Sequence, residues 1–379
     1  MAIEQPDLGG SERAKQIMKD SYVIDALNCV SLFRPPGWLE HEAHRSLVFD
    51  YFDRARVAGV TAMAITVGID PDRAIRPMEK MAYLSEAFHL HPDRYMLVKT
   101  AADIKAAHES NRLGIYFTNQ GCCCFDENLQ MVGVLRSQGL GYALIAYNNR
   151  YRTGDGAYEA DDAGLTAWGR GVIRSQIHYG MPIDVTHTGI RCVSEAIAYS
   201  QEVKPGWPVI YSHTGLKRHV DHTRAATDEN ALAVAATGGV MNVVLCNPVV
   251  TENPTTEVIP QEHADAIDCA VQLLGIDHVG IATDDFEEQA PFMAWAKGKD
   301  DKYPDGGRSI RDVVEGKNLF AELSKCLPAI IDCLLEKGYS EEDCGKVTGS
   351  NMLRVLEATW DAGITDVGGY IEPDGGFSV

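Results

Sequence analysis

Two short apolar runs end on histidine, Ile183-Asp184-Val185-Thr186-His187 and Val209-Ile210-Tyr211-Ser212-His213, and a third, Val279-Gly280-Ile281-Ala282-Thr283-Asp284, ends on an acid followed by Asp285. Imidazoles converging from neighbouring strands are a common way to hold zinc, which takes nitrogen, sulfur and carboxylate ligands. A carboxylate beside a metal-bound water can take its proton and pass it to a leaving group. Read singly, each histidine is equally well explained as a hydrogen-bonded core residue. Asp284 alone can be read as a cap, a role for which Asp285 is the better candidate. Two histidines on successive strands favour a site.

Arg224 stands eleven residues after His213. Its planar fork suits a substrate carboxylate, although a lone loop arginine is more simply read as solvated. His219 and His222 share that loop and are assigned to the surface, since nothing in their spacing demands a ligand role. The run Cys122-Cys123-Cys124 cannot turn three successive thiols to one point, so a loop of small, partly buried thiols is expected there.

These residues need a scaffold that brings strand ends together. Strands are expected at Tyr22–Asn28, Thr61–Val67, Met96–Thr100, Gly114–Asn119, Tyr142–Tyr147, Pro182–His187, Val209–His213, Val240–Cys246 and Val279–Asp284. Between them, apolar residues recur at helical spacing in Met81–Leu90, Leu129–Gln138, Ala167–Tyr179, Val193–Gln201, Glu229–Ala236 and Glu262–Leu274. Gly139, Gly141 and Gly180 stand where helices must stop. Alternating β and α segments make an α/β protein with a parallel sheet, and a (β/α)8 TIM barrel sets all strand ends on one rim. Nine strands for a barrel of eight leave one surplus, with Met96–Thr100 the candidate.

No linker or repeat divides the chain, so residues 1–379 are read as a single barrel domain with C-terminal helices around Leu319–Lys337 and Glu341–Trp360. A charged, glycine-containing loop is expected at Gly298–Gly307, and Gly368–Val379 is expected to be a surface tail. The chain has 379 residues, 45% of them hydrophobic, and no apolar stretch of membrane-spanning length. The acidic start lacks the pattern of a secretory signal, and ten cysteines scattered through a long chain suit reduced thiols, so a cytoplasmic location is expected. A net charge of −20 argues against nucleic acid or an anionic membrane as partner. A locally positive pocket can still take a small carboxylate.

In order, Ile-Asp-x-x-His187, Val-Ile-x-Ser-His213, Arg224 and Val-Gly-Ile-x-x-Asp284 resemble the membrane (renal) dipeptidase family of the amidohydrolase superfamily. The similarity runs from about Tyr22 to Ala358 and includes Asp162-Ala-Gly-Leu-Thr166 and Asn351-x-Leu-Arg-Val355. The resemblance implies a barrel with two zinc ions bridged by a glutamate, hydrolysing short peptides and related amides, often as a dimer. It implies that His187 and His213 ligate one metal, that Asp284 is the catalytic acid after the last strand, and that Arg224 binds the substrate carboxylate.

The rest of the family's pattern is altered. Where the first strand of the family ends in Asp-Gly-His-x-Asp, this chain has Asp25-Ala26-Leu27-Asn28-Cys29. Leu27 cannot bind metal, whereas Cys29 can do so as a thiolate. The bridging glutamate falls in Phe117-Thr118-Asn119-Gln120, where Asn119 is assigned as the match, and Tyr147 stands at the substrate-binding histidine. Two zinc ions bring four positive charges that Asp284 and Cys29 cannot offset, so at most one metal is expected, on His187 and His213 with Asn119, Cys29 or water. The leading expectation is a dipeptidase-like, zinc-dependent hydrolase acting on a small carboxylate-bearing molecule. The alternatives are a metal-independent lyase or isomerase on the same barrel, or a descendant that binds a small carboxylate without catalysis.

Overall fold

The structure, a computed structural model, describes residues 7, 9–33, 41–253, 257–296 and 319–368. Nine strands are present among the described residues: β1 Ile24–Asn28, β2 Ala62–Ile69, β3 Tyr95–Leu97, β4 Leu113–Gln120, β5 Leu140–Ala143, β6 Ile183–Asp184, β7 Val209–Thr214, β8 Met241–Val244 and β9 Val279–Ala282. All pairings between them are parallel. Helices separate most successive strands, as a parallel connection requires. The expected loop at 298–307 and the tail beyond Gly368 lie outside the described residues.

One strand is indeed surplus to the barrel. β4 carries β2 on one side, while its other side is shared: β3 pairs with its first half (Tyr95–Leu97 opposite Leu113–Ile115) and β5 with its second (Phe117–Asn119 opposite Leu140–Ala143). Removing β3 leaves the ring β1-β2-β4-β5-β6-β7-β8-β9, a (β/α)8 barrel. The bridge Leu144–Asp184 joins β5 to β6. At the other seam Asp284 N donates to Leu27 O at 2.9 Å and Cys29 N to Asp285 O at 2.8 Å.

Side chains reinforce that second seam. Asp25 accepts from the Thr283 backbone N–H at 2.9 Å, from Thr283 Oγ1 at 2.6 Å and from Asn28 Nδ2 at 3.0 Å, all of them buried. Tyr51 donates its hydroxyl to Asp285 Oδ2 at 2.9 Å and accepts from Asn28 Nδ2 at 3.0 Å. Asp285 is therefore a buried seam residue rather than a cap, because Tyr51 and the β1 backbone draw it inward.

Two motifs that belong to the resemblance, Asp162–Thr166 and Asn351–Val355, are structural pins. Asp162 Oδ2 accepts from the backbone N–H of Arg191 at 2.7 Å and of Cys192 at 3.2 Å, in the first turn of helix Ile190–Val203, which satisfies donors that have no partner within the helix. Thr166 caps helix Ala167–His178 by accepting from Gly169 N. Asn351 Nδ2 donates to Ile276 O at 2.7 Å and Val279 O at 2.8 Å, fastening the last helix to the start of β9.

Candidate active site

β6 and β7 are neighbours, so the residues that follow their ends meet on one rim. His187 Nε2 and His213 Nε2 lie 3.0 Å apart. Each ring is fixed from behind: His187 Nδ1 is 2.6 Å from Asn148 Oδ1, and His213 Nδ1 is 2.9 Å from Ser212 Oγ. An amide oxygen only accepts, so His187 carries its proton on Nδ1 and presents the Nε2 lone pair to the centre. Burial, the Arg224 guanidinium and the second imidazole hold the His187 pKa well below the usual histidine value, and burial and Arg224 do the same for His213. Both rings are therefore neutral, the form that can ligate a metal.

The backbone is strained at this point. His187 (φ 61°), Asn148 (φ 60°) and Asp284 (φ 55°) are all left-handed, a conformation that costs about 1–2 kcal/mol in a residue with a Cβ and that persists where the surroundings over-determine it. For Asn148 the surroundings are close: a Cβ on Gly156 would lie 2.1 Å from the Asn148 carbonyl carbon, so only glycine allows the loop to fold over it.

Arg224 is buried, at 8% exposure. Its Nη1 donates to His213 O at 2.9 Å, and its Nη2 is 3.5 Å from Asp284 Oδ2. His222 is buried as well, not on the surface, because its Nδ1 accepts the Arg224 backbone N–H at 3.2 Å and so shapes the turn that carries the arginine. Burial raises the Asp284 pKa, against the opposing pull of Arg224 and a hydrogen bond from Cys29. Tyr147 lies against His187 with ring centroids 4.4 Å apart. Tyr147, Asn148, Tyr158, His187, Arg224 and Asp284 line one cavity, whose apolar side includes Val249, Phe292 and Phe320.

The side toward β1 and β4 is different. Leu27 fills its position with apolar side chain, fully buried. Cys29 Sγ donates to Asp284 Oδ1 at 3.2 Å, and burial together with that carboxylate pushes its thiol pKa well up. Asn119 is not brought to the centre: its Nδ2 donates to Gly121 O at 2.8 Å, and its Oδ1 lies 2.5 Å from where a Cβ on Gly68 would stand. The next residue, Gln120, faces the thiol instead, with Nε2 3.3 Å from Cys29 Sγ. Side chains on a strand alternate, and counting from Tyr116, whose hydroxyl meets that of Tyr142 at 3.4 Å in the interior, selects Gln120 over Asn119.

A metal of the kind the resemblance implies is therefore only half accommodated. His187 and His213 converge as two imidazole donors for one ion. Among the described residues no group of three His, Cys, Asp or Glu side chains is placed to hold a metal. Leu27, the thiol of Cys29 and the amide of Gln120 do not make a second position. The donor set fits one ion on two imidazoles and does not fit a bridged pair.

A parallel barrel whose rim joins two neutral imidazoles, a buried arginine and an acid after the last strand is an amidohydrolase-type barrel. Residues 11–295 match the membrane dipeptidase family, peptidase family M19, and the chain belongs to that family. It is 24% identical over 284 residues to dipeptidase verJ of Clonostachys rogersoniana, covering 74% of this chain and 64% of that one, so it spans less than two thirds of that relative's length. An amidohydrolase structure from Pseudomonas aeruginosa superposes with a TM-score of 0.76 at 25% identity, covering 92% of this chain and 99% of the other. A metallo peptidase from Rhodobacter sphaeroides, liganded with a phosphinate mimic of the dipeptide L-Ala-D-Ala, superposes with a TM-score of 0.69 at 16% identity, over 90% and 99% of the two chains. No helix among the described residues is long and apolar enough to cross a membrane.

Proposed function

We propose that this protein is a dipeptidase-like hydrolase that cleaves an amide or related bond in a small carboxylate-bearing molecule, with at most one metal ion held by His187 and His213. The observation that carries the reading is the convergence of the two Nε2 atoms, 3.0 Å apart, with both Nδ1 atoms engaged elsewhere. When bound, zinc or a similar ion supplies Lewis-acid polarisation of the scissile carbonyl. Every other role falls to side chains of the chain itself.

Arg224 offers its fork to the substrate carboxylate, and its hydrogen bond to His213 O orients it before substrate arrives. Asp284 takes a proton from the water that attacks the scissile carbonyl and returns it to the amine that departs as the C–N bond breaks, and the raised proton affinity that burial gives it suits that exchange. Tyr147 packs on His187 and lines the cavity, where its ring meets substrate. A small dipeptide-like substrate agrees with the peptide mimic held by the Rhodobacter relative.

Elemental analysis of protein purified without chelator, alongside turnover of a dipeptide panel, tests the reading. The expected result is about one zinc-like ion per chain, with His213→Ala losing both ion and turnover. Metal-free protein with full activity overturns it.

A further inference from the structure

The barrel has a second cavity at the opposite end. Its volume is about 420 Å³, within the range of roughly 300–1,000 Å³ typical of small-ligand sites. Thr61, just before β2, and Arg112, just before β4, place it at the N-terminal ends of the strands, away from the histidine rim. Lys19, Arg56, His108 and Arg112 line it, and no Asp or Glu among the described residues does so. This occurs in a chain with 54 acidic residues against 34 Lys and Arg.

The cations are partly held in place. Arg112 Nε donates to Ser110 Oγ at 2.9 Å and Nη1 to Pro92 O at 3.4 Å, neither partner carrying a charge. The nearest acid to Arg56 is Asp53, with Oδ1 3.5 Å from Arg56 Nε, and Asp53 also pairs with Arg94. One carboxylate thus serves two guanidiniums, leaving a net positive charge, and Arg56 Nε makes no hydrogen bond among the described residues. Lys19 is exposed at the end of helix Glu12–Asp20, two turns from Glu12 on the same face, and neighbours Asp20, itself engaged by Gln16 at 2.8 Å.

His108 adds an imidazole to the lining. Thr61 Oγ1 accepts from Val23 N at 3.1 Å and lies 3.3 Å from His108 Nδ1. That contact fixes the Nδ1 edge of the ring and leaves Nε2 as its other polar atom. Tyr22, with its ring centroid 4.9 Å away, packs beside the imidazole.

We propose that this cavity binds the phosphate group of a small molecule. Two guanidiniums and an ammonium, with an imidazole beside them, match the charge and the several acceptor oxygens of a phosphate dianion, whereas a single carboxylate would leave most of them uncompensated. The chain's overall charge repels anions, so affinity must come from this local cluster and weaken as salt rises. The proposal is independent of the chemistry assigned to the histidine rim.

Calorimetric titration of the full chain with inorganic phosphate and with AMP, each against potassium chloride of equal ionic strength, tests it. Saturable one-site binding of phosphate or AMP is expected; tighter binding of AMP assigns a phosphoester, and equal binding assigns the free ion. Lys19→Gln with Arg112→Gln is expected to weaken binding by about tenfold or more, since a charge-assisted hydrogen bond contributes about 1.5–3 kcal/mol and 1.4 kcal/mol is tenfold. Circular dichroism confirms that the variant is folded. No saturable binding above the chloride control overturns the proposal. So does unchanged binding in the double variant, which would put the anion elsewhere, Arg224 included. Citrate binding as tightly as phosphate would overturn the phosphate assignment.

Discussion

The two sides of the barrel mouth use their buried polar atoms in opposite ways. Beyond β6 and β7, His187 and His213 turn their Nε2 atoms toward one point, and each ring is held by a neighbour that sits outside the centre. At β1 and β4, Cys29 and Gln120 spend their polar atoms on each other and on Asp284, while Leu27 contributes none. The first side has unused donor capacity, while on the second the thiol and the Gln120 amide are tied to each other and to Asp284. Charge explains why both can coexist. A divalent cation on the second side would need more anionic ligands than the Asp284 carboxylate supplies, whereas a network of thiol, amide and that one carboxylate needs no added cation. The second side thus serves to hold Asp284, whose other oxygen faces Arg224 at 3.5 Å.

The largest effect that separates the two sides is expected at their shared carboxylate. Asp284→Asn removes the group that moves the proton, and kcat on a dipeptide that the wild type hydrolyses should fall by on the order of 10²–10⁴-fold. Cys29→Ser keeps a donor for Asp284 Oδ1 and should cost far less. If Cys29→Ser is as damaging as Asp284→Asn, the thiol takes part in the reaction and the division drawn between the two sides is wrong.

A second test converts one side into the other. Leu27→His, Cys29→Asp and Gln120→Glu together supply the imidazole and two carboxylates whose absence limits the site. Metal content by elemental analysis should rise from about one ion per chain to about two. A folded triple variant that still holds about one ion would show that donor identity at these three positions does not set the count.

Much of this architecture was legible in the sequence, including the nine strands and the surplus one. The strands ending near His187, His213 and Asp284 were legible because apolar β-branched runs interrupted by one polar residue mark strand ends. The facing of Asn119 and Gln120 was not. In a parallel barrel both faces of a strand are covered, and every residue of β4 is buried, so hydrophobic alternation gives no phase. The register of β2 against β4 also shifts between Thr66 and Gly68, beside Asn119. Asn148 escaped notice because a loop amide has no spacing signature, and its role appears only when the loop folds over His187. Several helices were missed despite local signals. Thr100 and Asp103 form a reciprocal capping box at the start of helix Ala101–Glu109, a pattern readable from sequence.

The smallest expected effect concerns stability at the seam behind the neutral side. Asp25 is fully buried, and although Thr283 and Asn28 stabilise its ionised form, desolvation outweighs them and raises its pKa to about 6. In the unfolded chain an aspartate titrates near 3.9. Between roughly pH 4 and pH 6 the folded chain therefore binds more protons at this residue than the unfolded one, and stability from this group falls as pH rises through that window. The asparagine in Asp25→Asn does not titrate, so its deficit relative to wild type should be greatest near pH 4 and shrink toward pH 7. The change is at most about 3 kcal/mol, from about two pKa units at 1.36 kcal/mol each. Urea unfolding of both proteins at a series of pH values measures it. A deficit that grows with pH would mean that Asp25 is more acidic in the fold than in the unfolded chain, and that the hydrogen bonds from Thr283 and Asn28 outweigh desolvation at the seam.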